Sequence, residues 1–159
     1  MTFLQLDKAV QLKPYKPREP IPVIYATDDE IWQQDGVKLI LDCEVYINYF
    51  LIQFLNVDTG KVIKIEIPFN AQKLSWILHS YRTIGFNSIK YDLPIIWYAY
   101  LYQDNAAIKR LSDEIIYNNT YPKQLQIDFS FKIWPTSHVD LIEVCPLRGS
   151  LKLYGGRLH

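Results

Sequence analysis

The sequence predicts an α/β protein in which helices flank a mixed β-sheet. Residues 38–54 are rich in β-branched, aromatic and leucine side chains, and residues 62–67 (VIKIEI) alternate apolar and polar positions, which is typical of strands. Apolar residues recur at helical spacing in residues 71–82 and 93–118. The predicted order, three strands followed by alternating helices and strands, requires a sheet covered by helices.

The N-terminal region precedes the sheet. Prolines and lysines recur in residues 13–22 (KPYKPREPIP), a composition that predicts an extended arm. The segment YATDDEIWQQ then favours a short helix capped by Thr27 or Asp28. We therefore divide the chain into an arm with a short helix at 1–30 and one domain at 31–159.

Breaks and turn signals define the first strands of that domain. A break at 47–48 separates the first strand from the second, and the sequence NVDTGK at 56–61 is a turn signal. We expect three sequential strands, the first of them buried, with a hairpin between the second and the third. A helix is predicted over 71–82, and a short strand that enters a loop over 83–88.

The second half contains one long helix or a pair of helices over 93–118. Residues 120–134 are polar and aromatic without a clear period. The apolar run HVDLIEVC at 138–145 predicts a further strand, and RGSLKLYGGRLH has the pattern of an element that begins there. The resulting order of elements is compatible with a ribonuclease H-like core, although other α/β folds also fit it.

Composition limits the functions that the chain can have. Its 159 residues are 49% hydrophobic, which is enough for one core, and no apolar run approaches the ~20 residues of a membrane span. The N-terminus lacks the layout of a secretory signal, so we expect a cytoplasmic protein without a membrane partner. With 17 basic and 17 acidic residues, a strongly basic nucleic-acid surface is excluded, and any contact with phosphate must be local or metal-mediated.

The residues that form common structural metal sites and cross-links are few. Cys43 and Cys145 lie in separate apolar runs, which favours buried thiols over a disulfide framework or a paired metal site. The three histidines are scattered, so a zinc site is not expected. Aromatic residues make up 14% of the chain, and packing explains them more simply than a base-stacking surface does.

Two carboxylates lie two residues apart in the first predicted strand. Because side chains alternate along a strand, Asp42 and Glu44 project from the same face. Carboxylates at the end of a buried strand are destabilising unless they are neutralised, and a magnesium or manganese ion would neutralise them. The simpler alternative is an exposed edge where both acids meet water.

Three more polar residues follow at the ends of predicted elements. Asp92 precedes Leu-Pro at the start of an apolar helix, where it would serve as an N-cap or point toward the side of the sheet. Asn87 lies at the exit of a strand, where it would orient a ligand or form an Asx turn. Asp140 lies in an apolar run, where it would contact a ligand or would be a buried acid bonded to backbone amides or hydroxyls. Glu143 would face the opposite side of that strand.

Taken together, these residues resemble the DnaQ-like (DEDD) 3′–5′ exonucleases. The sequence LDCE matches the family's first motif, and GFNSIKYDLPII matches the second, in which an Asn precedes an aromatic-Asp pair. Four segments are most similar in sequence to exonucleases encoded by bacteriophages: DCEVYINYFLIQF, YDLPII, VDLIEV and SLKLYGGRLH. The likeness covers roughly residues 37–159, and its second motif is the more specific one.

The resemblance implies a ribonuclease H-like fold and a two-metal mechanism. By that analogy Asp42, Glu44 and Asp92 hold two Mg²⁺ or Mn²⁺ ions and hydrolyse phosphodiester bonds at the 3′ end of single-stranded DNA. Asn87, Tyr46, Tyr91 and Asp140 would contact the substrate, the tyrosines by stacking on terminal bases.

The family's third motif, a His or Tyr base followed by a metal-binding Asp, is not found. Tyr154 is followed four residues later by Leu158, and Glu143 is the last acidic residue. We therefore expect an N-terminal part of a longer exonuclease, such as the proofreading domain of a phage DNA polymerase completed by a C-terminal half, with little activity as an isolated chain. The alternatives are a catalytically inactive module that binds nucleic acid or protein on the same fold, and another ribonuclease H-like enzyme that cleaves within a strand.

Overall fold

A computed structural model describes residues 19–33, 37–146 and 149–152 of the chain. Most of the predicted arm and the last seven residues lie outside this part. The described elements, in chain order, are α1 (Asp28–Gln33), β1 (Lys38–Tyr46), β2 (Tyr49–Asn56), β3 (Val62–Glu66), α2 (Ala71–Ser80), β4 (Arg82–Gly85), α3 (Asp92–Tyr102), α4 (Asn105–Tyr117), α5 (Pro122–Asp128), β5 (His138–Asp140) and α6 (Leu141–Val144).

The strands form one mixed sheet in the order β3-β2-β1-β4-β5. The first three strands form an antiparallel meander, while β4 pairs parallel with β1 and β5 pairs parallel with β4. Parallel pairing needs a crossover, and α2 connects β3 to β4 while α3, α4 and α5 lie between β4 and β5. The α/β class and the sheet flanked by helices are therefore confirmed.

Local patterns predicted the strands and long helices well. The three sequential strands, the hairpin between β2 and β3, the helix that became α2 and the α3–α4 pair are all present. Thr27 caps α1, since its hydroxyl accepts a hydrogen bond from the Glu30 backbone and the Glu30 carboxylate accepts one from the Thr27 backbone. The boundary predicted between residues 30 and 31 falls within α1, whose Ile31 is buried in the core.

The strand predicted over 138–145 is wrong beyond Asp140. The chain leaves β5 there and forms the short helix α6, because the Asp140 side chain accepts a hydrogen bond from the Ile142 backbone as an N-cap. Glu143 consequently lies on a helix and not on the opposite face of a strand. An apolar run of eight residues is compatible with either a strand or a helix, so the sequence alone did not distinguish the two.

The core lies between the sheet and the helices. Alternate residues of β1 and β2 point into it, among them Leu39, Leu41, Phe50, Ile52 and Phe54. The helix α3 is buried along most of its length, from Asp92 to Ala99. Among the described residues, no helix is long and apolar enough to cross a membrane.

Candidate functional site

The Asp42–Glu44 pair lies on β1, in the middle of the sheet. The burial of β1 alternates, so that Leu41 and Cys43 face the core while Asp42 and Glu44 face outward. β1 is the central strand of the sheet, but its pairing with β4 covers only Lys38 to Ile40, so Asp42 and Glu44 lie beyond β4 and are both exposed. This exposure agrees with the alternative of an edge where both acids meet water, while the alternation of β1 places the two side chains on one face. The prediction that they share one face is therefore confirmed.

Asp92 approaches this pair from the start of α3. Only 5% of the residue is exposed, and its Oδ1 accepts a hydrogen bond from the Cys43 backbone N–H at 3.1 Å. The N-cap residue of α3 is Tyr91, which makes no side-chain capping bond, so Asp92 does not cap the helix. Its carboxylate instead joins the helix to the strand residue between Asp42 and Glu44.

The electrostatics of the three acids are coupled. Burial raises the pKa of Asp92 to about 6, and the charge of Asp42 raises it as well. Burial also raises the pKa of Asp42, with the nearby charge of Glu44 as the next cause. The Cys43 thiol has its pKa raised well above the ordinary value by burial and by the Asp92 charge. Negative charge is thus concentrated where β1 meets α3.

No lysine or arginine in the described part of the chain forms an ion pair with these acids. The salt bridges observed there join Lys61, Lys64, Lys73 and Lys109 to other carboxylates. Uncompensated carboxylate oxygens are the donors that magnesium and manganese prefer. The chemistry of the donor set therefore fits a divalent cation, although no three His, Cys, Asp or Glu side chains within the described ranges are arranged as ligands of one ion.

The loop that leads into Asp92 is held by Asp140. One Asp140 oxygen accepts hydrogen bonds from the backbone of Asn87 (2.7 Å) and Ile142 (3.1 Å), and the other accepts one from Ile89 (2.8 Å). Only 3% of Asp140 is exposed. The structure confirms the alternative for Asp140, a buried acid bonded to backbone amides. Both of its oxygens accept hydrogen bonds from backbone N–H groups, which leaves the carboxylate poorly placed to contact a substrate.

Asn87 lies at the turn of the same loop. Its φ of 58° is left-handed, a conformation that Asn tolerates better than most residues. Its backbone N–H donates to Asp140 and its carbonyl accepts from the Tyr91 N–H. Asn87 therefore forms the turn of the loop that carries Tyr91 and Asp92, and its contact with a substrate stays a prediction.

A second contact from β5 fixes this loop. His138 lies between two hydroxyls, with Nε2 2.7 Å from Ser88 Oγ and Nδ1 2.7 Å from Thr83 Oγ1. Gly85 is required beside them, because a Cβ there would lie 2.4 Å from Ser88 Oγ. Sequence reasoning did not identify Ser88 or His138, which lie far apart along the chain and meet only through the parallel register of β4 and β5.

The two predicted substrate-contacting tyrosines differ in exposure. Tyr46 is 54% exposed, and its hydroxyl lies 3.5 Å from Glu44 Oε2. Tyr91 is half-buried, and its hydroxyl lies 2.8 Å from the Oγ of Ser112, a buried residue of α4. Burial raises the pKa of Tyr91. Tyr46 is therefore the better placed of the two for stacking on a ligand.

Comparisons of the chain with protein-family models, with curated proteins and with solved structures give no match. The function of the site is therefore inferred from its own residues.

Proposed function

We propose that the chain is a metal-dependent 3′–5′ exonuclease that acts on single-stranded DNA ends. The observation that carries this proposal is the bond from the Cys43 N–H, between Asp42 and Glu44 on β1, to Asp92 of α3, which brings Asp92 near the charge of Asp42 without a basic partner in the described residues. These acids belong to the two motifs that resemble those of the DnaQ-like family.

The sheet supports the same proposal. Its order, with an antiparallel meander β1–β2–β3 and parallel neighbours β4 and β5 beside β1, is consistent with a ribonuclease H-like arrangement. The acid pair lies on the first, central strand of this sheet, and the second-motif acid begins the helix that follows β4. Other α/β proteins share such sheets, so the acids carry more weight than the topology.

Each residue has a distinct part in the proposed chemistry. Asp42 and Glu44 would hold divalent cations from the outward face of β1, and Asp92 would hold them from α3. When bound, two magnesium or manganese ions would activate the attacking water and stabilise the leaving 3′ oxygen. The Cys43 N–H keeps Asp92 beside the strand, and Tyr46 offers an exposed ring next to Glu44.

Asp140 is a poor fourth metal ligand, because its two oxygens already accept three backbone hydrogen bonds. A second candidate function is therefore a binding module without catalysis on the same fold. The observation in its favour is that the described residues include no three ligating side chains grouped around one point.

Manganese binding separates these candidates. The melting temperature of the purified chain is measured in EDTA and with increasing Mn²⁺, for the wild type, Asp42→Ala and the control Asp58→Asn, an exposed acid in the β2–β3 turn. A metal site predicts a rise that Asp42→Ala abolishes and the control keeps. No rise in the wild type would contradict any metal nuclease.

Activity is measured with a single-stranded DNA labelled at its 5′ end, in manganese. Products that shorten from the 3′ end, and that are absent with Asp42→Ala, would support the exonuclease. Stabilisation by manganese without cleavage would indicate a site that another segment or chain must complete. Internal cleavage without dependence on a DNA end would instead support a different ribonuclease H-like nuclease.

A further inference from the structure

Lys90 differs from the other lysines that make polar contacts in the described part of the chain. Lys61, Lys64, Lys73 and Lys109 each pair with a carboxylate. The Lys90 ammonium group instead donates to the Asn119 side-chain oxygen and lies 5.4 Å from the centre of the Tyr121 ring. Both of these partners are neutral, so the positive charge is held in place without being cancelled.

Tyr121 is an exposed aromatic residue. It is 66% exposed although Lys90 lies over its ring, so much of the ring remains available to a ligand. It follows α4 and directly precedes α5, with its carbonyl accepting hydrogen bonds from the backbone of Gln124 and Leu125. A side chain whose backbone is fixed in this way loses little further entropy when a ligand stacks on it.

The lysine lies on the loop that leads into Asp92, and the ring follows the helix that this loop contacts. Lys90 precedes Asp92 by two residues, in the loop that Asp140 holds through Asn87 and Ile89. The bond between Tyr91 and Ser112 ties the same loop to α4, whose C-terminal end leads to Tyr121.

We propose that Lys90 and Tyr121 form a contact surface for a single-stranded nucleic acid that enters the candidate site. Tyr121 stacks on an unpaired base, and Lys90 contacts a backbone phosphate. The choice of partner rests on the proposed function and on the combination of an open ring with an unneutralised cation, which is how proteins bind single strands without reading their sequence. A neutral protein needs such a local cation to approach a polyanion.

The test measures binding of a fluorescein-labelled oligothymidylate by anisotropy, in EDTA so that no cleavage occurs. Tyr121→Ala is expected to weaken binding about fivefold to a hundredfold, the range for loss of one stacked base, while Tyr121→Phe binds like the wild type. Lys90→Gln is expected to reduce the slope of log affinity against log salt concentration by about 0.7, the value for one phosphate contact on a single strand.

Matched controls are Tyr25→Ala, a tyrosine of similar exposure beside β3, and Lys38→Gln, an exposed lysine at the start of β1. Both are expected to bind like the wild type, and circular dichroism melting confirms that all variants fold. The proposal is overturned if the wild type does not bind, if Tyr121→Ala matches its control, or if duplex DNA binds as tightly as the single strand.

This result is separable from the proposed function. A wild type that manganese stabilises through Asp42 but that does not bind the oligonucleotide would overturn the contact surface and leave the metal site standing. Binding that depends on Tyr121 and Lys90 without any manganese effect would support the contact surface and contradict the nuclease.

Discussion

Replacing Asp92 by Asn is expected to stabilise the metal-free protein at neutral pH. The carboxylate is almost completely buried and lies near the charge of Asp42, which together raise its pKa to about 6. Asn has nearly the same shape, carries no charge, and keeps an oxygen that accepts the hydrogen bond from the Cys43 N–H. The substitution therefore removes an unfavourable charge without opening a cavity.

The magnitude follows from the pKa. The folded protein binds the Asp92 proton more tightly than the unfolded chain does, so this group favours folding fully below its ordinary pKa of 3.8 and loses that effect as the pH rises through about 6. At about 1.4 kcal/mol per pH unit, the ionised group destabilises the protein by about 3 kcal/mol at pH 7. Asp92→Asn removes this loss, so the stabilisation is near zero at pH 4 and about 3 kcal/mol at pH 7.

Urea unfolding in EDTA, at several values between pH 4 and pH 7, measures the difference in unfolding free energy between the variant and the wild type. The control Asp58→Asn, an exposed acid in a turn, is expected to show no comparable trend. Saturating manganese should reverse the order at pH 7, because only the wild type retains the third carboxylate. An Asn variant that is less stable than the wild type at pH 7 in EDTA would refute the reasoning.

Three further predictions concern the contacts that hold the loop before Asp92. Asp140→Asn should lower the unfolding free energy by about 2–4 kcal/mol in urea. The substitution replaces one carboxylate oxygen by an NH₂ group, which cannot accept the hydrogen bond that a backbone N–H donates to that oxygen in the wild type. Gly85→Ala should cost about 1–3 kcal/mol by overpacking against Ser88, and adding Ser88→Gly should recover part of that loss in the same assay. Burial lowers the pKa of His138, although the charges of Asp140 and Glu143 act in the opposite direction. The folded state therefore favours the neutral ring, and the protein loses stability as the pH falls below about 6.5. His138→Gln should reduce this loss of stability, measured as melting temperatures between pH 7 and pH 5.

Local patterns were sufficient for most of the fold, because the information lies within each element. The alternation along β1 and β3 and the turn at 56–61 define three strands before any tertiary contact is considered. Residues 120–134 gave no period because they form only α5, whose first residue is Pro122, followed by irregular chain. The extent of β5 was not predictable either, since the capping bond of Asp140 decides where the strand ends.

The candidate site was predictable only in part. The common face of Asp42 and Glu44 follows from the period of a strand. The approach of Asp92 depends on the parallel pairing of β1 with β4, which no local pattern encodes. The sequence did not predict which role Asp140 has, because an acid in an apolar run gives the same pattern whether its side chain contacts a ligand or the backbone. The three hydrogen bonds in the structure decide for the backbone.

The contacts from β5 and the raised pKa of Asp92 have one explanation if the proposed function holds. A buried carboxylate destabilises the metal-free protein, so the loop before it would relax away from β1 unless other bonds held it. Asp140 and His138 supply those bonds through Asn87, Ile89 and Ser88, without facing a ligand themselves. In this view Asp140 positions Asp92 and does not touch nucleic acid. Asp140→Asn should therefore weaken manganese binding, because Asp92 is no longer held beside β1. The same variant, under conditions where it is folded, should bind a single strand in EDTA nearly as the wild type does, because that binding depends on Tyr121.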